Sequence, residues 1–122
     1  MMKLDKALNN DFSKIVNQKY GEIREELRGL NYSDTIDLLL RFTEDRVGRE
    51  EYFDVLYKDL IKEKYGLEVE FTMLQNNVHL NEIIQKLTFL EMASQFLDTV
   101  DANPGYSEKQ YIAAFKTVTH FE

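Results

Sequence analysis

The chain has 122 residues, 43% of them hydrophobic and 12% aromatic, with no cysteine. This is enough apolar surface for the core of one domain, 1–122, and it excludes a disulfide framework and a thiolate zinc site. A net charge of −7, from 22 acidic and 15 basic residues, repels phosphate backbones and makes nucleic acid an unfavourable partner.

No stretch of about 18 uninterrupted apolar residues is present, so no membrane association is expected. Residues 1–10 lack an apolar signal core, which points to a cytoplasmic location. One proline and five glycines leave long elements unbroken. The expected fold is mainly α: a single-domain bundle of four to five helices, with a short β segment near residues 67–73 left open.

The first helix is predicted from about Leu4 to Arg28. Leu4, Leu8, Phe12, Ile15, Val16, Ile23 and Leu27 recur at three- and four-residue steps, the spacing of one apolar face. Gly29 suits the left-handed position past its end, with Leu30 folding back. Gly21 either lies within this helix or splits it. A second helix starts with Ser33 as N-cap and ends near Arg46 or Gly48. Its expected buried face is Ile36, Leu39, Leu40 and Val47, with Leu38 and Phe42 alongside.

A third helix, Arg49 to Tyr65, carries the stripe Phe53, Leu56, Tyr57, Leu60 and Ile61 and ends at Gly66. Phe12 to Gly21 and Tyr57 to Gly66 echo each other. A common way of ending a helix explains this more simply than a duplicated hairpin. Leu67 to Leu74 reads both ways. Leu67, Val69, Phe71 and Met73 alternate as in a strand, while Leu67, Phe71, Leu74 and Val78 fit a helix.

The fourth helix, about Leu80 to Val100, has two apolar stripes. Leu80, Ile83, Ile84 and Leu87 form one; Phe89, Ala93, Phe96, Leu97 and Val100 form the other. One neighbour cannot bury both, so the helix is either central to the bundle or part of an oligomer interface. After the Asp101–Gly105 turn, Ser107 and Gln110 form a capping box for a last helix. Its apolar side is Tyr111, Ile112, Phe115 and Val118.

The chemistry-bearing residues form no recognisable motif. His79 and Glu82 reverse the order of a helical di-metal pattern and occur once. No Gly-x-Ser-x-Gly elbow or glycine-rich phosphate loop is present. Arg41, Arg46 and Arg49 form a basic strip offset by acidic neighbours. No catalytic residue, metal or cofactor is therefore expected. Seven tyrosines are the remaining lead, because Tyr offers contact area with a polar handle.

The candidate interaction surface comprises Tyr52, Tyr106, Phe89 and Phe96. In size and composition alone the chain resembles small acidic helical proteins such as bacterial immunity proteins and phage-encoded inhibitors. The expected function is a non-enzymatic protein-binding module of inhibitor, immunity or adaptor type, whose acidic exterior favours a basic partner. The alternatives are a self-assembling protein, such as a homodimer, and a ligand-binding or catalytic bundle.

Overall fold

The computed structural model describes residues 10–122, and all regular structure among them is helical. α1 spans Asn10–Gly29 and α2 Ser33–Val47. α3 covers residues 50–65: an α-helical start Glu50–Leu56, a π-helical stretch Tyr57–Lys62 and a last turn Glu63–Tyr65. A short α4, Phe71–Asn76, leads into the long α5, Val78–Ala102, and α6, Glu108–Thr119. Among the described residues, five long helices and one short one thus make the mainly α domain. The predicted positions Leu4 and Leu8 lie outside the described residues.

α5 organises the core because both its stripes are covered from within the chain. Its first half places Leu80, Ile83, Ile84 and Leu87 in a cluster with Val16, Phe53, Tyr57, Ile61 and Leu67. Its second half places Phe89, Met92, Ala93 and Phe96 in another with Leu27, Leu39, Phe42, Tyr111 and Phe115. Every other long helix packs on it. A helix hydrophobic all round belongs inside a bundle, and α5 takes the central of its two expected positions.

Several local expectations are corrected. Gly21 sits within an unbroken α1, so it does not end a helix as Gly66 does, and no common helix ending underlies the two echoing segments. Past α1 the left-handed residue is Asn31 (φ 62°), not Gly29. The Tyr32 N–H then reaches back to the Leu27 carbonyl at 2.9 Å, and Leu30 stays exposed. Asn tolerates this conformation because its side chain is short and polar. Ile15, Leu40 and Val118, each placed on an apolar face by periodicity, are exposed.

The ambiguous segment divides. In the connector, residues 66–70, Leu67 and Val69 are buried while Glu68 and Glu70 are exposed, the alternation of a strand. The helical reading holds from Phe71 onward. No strand forms among the described residues, since no second segment lies alongside to complete a ladder. Tyr57 serves instead: its hydroxyl accepts the Val69 N–H at 2.8 Å and donates to the Leu67 carbonyl. At the other end of the molecule the expected capping box is present, Ser107 and Gln110 each bonding the other's backbone N–H.

Candidate docking surface

The four sequence candidates separate. Phe89 and Phe96 are 1% and 2% exposed, so the structure places them in the core rather than at a surface. Phe89 meets Tyr20 edge-on, and Phe96 packs against Tyr32, Tyr111 and Phe115. The physical reason is the central position of α5, which leaves neither stripe facing out. Tyr106 is exposed in the turn before α6, its ring 5.6 Å from Tyr111. Tyr52 is 37% exposed on the first turn of α3.

Tyr52 opens onto an apolar trough. α3 contributes Tyr52, Val55, Leu56 and Leu60 at helical spacing, with Met92 and Gln95 of α5 and Thr119 of α6 opposite, around a volume of about 290 Å³. A smaller hollow of about 100 Å³ shares Met92, Gln95 and Thr119 and extends the trough towards Thr99 and Val118. Val55 and Val118 are 62% and 80% exposed. The rest of the predicted α3 stripe faces the other way: Phe53, Tyr57 and Ile61 are buried.

Arg46, from the last turn of α2, also lines the trough. Its side chain is only 10% exposed. The guanidinium carbon lies 4.2 Å from the centre of the Tyr52 ring, 5.1 Å from Phe42 and 5.4 Å from Phe121. Such contacts are attractive because the ring faces carry negative potential. Nη2 donates to the Thr119 carbonyl at 3.1 Å, tying α2 to the end of α6. Nη1 is 3.4 Å from Asp45, whose other oxygen sits closer, at 2.9 Å, to Arg49. Sequence reasoning noted Arg46 only as one member of a basic strip. The Phe42 contact is local, four residues back on α2, but the Tyr52 and Phe121 rings come from other segments and no local spacing announces them.

A larger cleft, about 580 Å³, lies between α3 and the connector. It is lined by Glu50, Asp54, Glu68 and Glu70 together with Lys58 and Lys62. Mixed exposed charge of this kind is a solvated face. Among the described residues no group of His, Cys, Asp and Glu is arranged to hold a metal ion, and no helix is long and apolar enough to cross a membrane. Comparison with protein-family models, curated proteins and solved structures gives no match.

Proposed function

We propose that the protein is a non-enzymatic binding module that acts by seating a segment of a protein partner in the trough between α3, α5 and α6. The observation that carries this reading is the trough itself. Exposed Val55 and Val118, half-buried Leu56 and Leu60, and the Tyr52 ring stacked on Arg46 form one continuous face. Aromatic residues and arginine are the types that dominate binding energy at protein interfaces. A pre-formed, helix-borne trough also costs little ordering on association.

Photo-crosslinking tests this reading. A photoreactive residue at position 55 is expected to capture a partner from a lysate of the source organism. The same residue at position 78, exposed on α5 and outside the trough, is expected to capture none. Equal capture from both positions, or none from position 55, rejects the proposal. Self-assembly is distinguished in the same experiment, because a second copy gives a crosslinked species of twice the chain mass with purified protein alone.

A further inference from the structure

We infer that the segment seated in the trough presents a carboxylate to Arg46 from within an otherwise apolar stretch. The inference rests on the trough being the docking surface and names the chemistry of what it takes. The chain has 22 acidic residues, yet none lines the trough, and Arg46 is its one charged lining residue. The lining is therefore positive where the whole molecule is negative, and the nearest carboxylate, Asp45, sits behind it at 3.4 Å from Arg46 and 2.9 Å from Arg49. Arg41 and Arg49 reinforce the positive sign, within 5.9 Å of the Phe121 ring and 5.8 Å of the Tyr52 ring.

Among the described residues, the guanidinium's one carboxylate partner, Asp45, is shared with a second arginine. Of its five N–H donors, one goes to a neutral carbonyl at 3.1 Å and one to Asp45 at 3.4 Å, a carboxylate that Arg49 holds more closely. An arriving carboxylate would make charge-assisted hydrogen bonds, about twice as strong as neutral ones, beside the apolar side chains of the trough. The net charge of −7 favours basic partners at long range. That attraction is screened beyond about 8 Å at physiological salt, so at contact distance the arginines decide.

The test is to pan random peptides displayed on phage against the full chain and titrate the enriched peptides into the wild type, Val55→Glu and Val55→Lys. Val55 is 62% exposed, so neither substitution disturbs the core. The expected peptides carry Asp or Glu among apolar residues. Val55→Glu should weaken them about tenfold or more, Val55→Lys should not, and amidating the peptide carboxylate should cost a similar factor.

Peptides without acidic residues that are weakened equally by both variants would overturn the carboxylate inference and leave the trough as a docking surface. Peptides indifferent to both variants, or no enrichment at all, would overturn the docking reading and the inference together.

Discussion

The Tyr57 hydroxyl stands where a neighbouring strand would be: it accepts the Val69 N–H at 2.8 Å and donates to the Leu67 carbonyl. Leu67 is fully buried and Val69 nearly so, so both backbone groups need partners inside the protein. Tyr57→Phe keeps the ring, which stacks on Phe53 at 5.1 Å, and removes both bonds. It is expected to cost about 1–3 kcal/mol, measured by urea denaturation at neutral pH.

The same pair carries a pH signature. Burial pushes the Tyr57 phenol up to about 12 from 10.0. The folded state thus holds this proton where the unfolded state has lost it. The contribution is fully present below pH 10 and is lost as pH rises through 12. Wild-type stability should fall more steeply than that of Tyr57→Phe across this window. Parallel curves would mean that the phenol is not the group responsible.

The N-terminus of α2 is capped from a distance. Thr35 donates its backbone N–H and its hydroxyl to Glu108 of α6, at 2.9 and 2.8 Å. Ser33, the residue the sequence offers as N-cap, is already the first residue of the helix, and Tyr32 before it makes no side-chain cap. Glu108→Ala is expected to cost about 1.5–3 kcal/mol, since the acceptor is charged. Ser33→Ala should change stability by no more than about 0.5 kcal/mol. Thermal or urea denaturation of the two variants checks this.

That contrast marks what a linear reading can reach. Helix existence, the Ser107 capping box and the Gly66 stop depend on residues within four positions of each other, and each was legible. The Glu108 cap joins residues 73 positions apart, and nothing local signals it. Periodicity showed that α5 is apolar on two sides, but which elements cover those sides is a property of the assembled bundle. Phe89 and Phe96 therefore read as surface candidates in the sequence and are core in the structure. Tyr52 is legible because it falls beside the α3 stripe; the sequence shows Arg46 only as part of a basic strip, because two of the three rings around it come from α3 and the end of the chain.

Two glycines should respond in opposite directions. Gly21 lies mid-helix, and a Cβ there meets nothing within 4 Å. Gly21→Ala should stabilise by about 0.4–1 kcal/mol, mainly by restricting the unfolded chain. Gly66 closes α3 at φ 66°, in the left-handed region. Gly66→Ala should destabilise by about 1–2 kcal/mol. Denaturation midpoints that move the same way for both would contradict the continuous α1 or the left-handed cap.

Stability and docking should separate between two aromatic residues, one buried at the base of the smaller hollow and one at the open edge of the trough beside Val55. Phe96 is 2% exposed and touches rings from α6 and from the α1–α2 turn. Phe96→Ala leaves a cavity and should cost about 3–5 kcal/mol. Tyr52 is 37% exposed, and its ring covers one face of Arg46 at 4.2 Å. Tyr52→Ala removes that cover and should cost no more than about 2 kcal/mol. For docking the order reverses. Measured below the melting temperature of either variant, crosslinking from position 55 should survive Phe96→Ala and be lost in Tyr52→Ala. If Tyr52→Ala captured the partner as well as the wild type, the Tyr52–Arg46 stack would be a structural closure of the bundle rather than part of a binding surface.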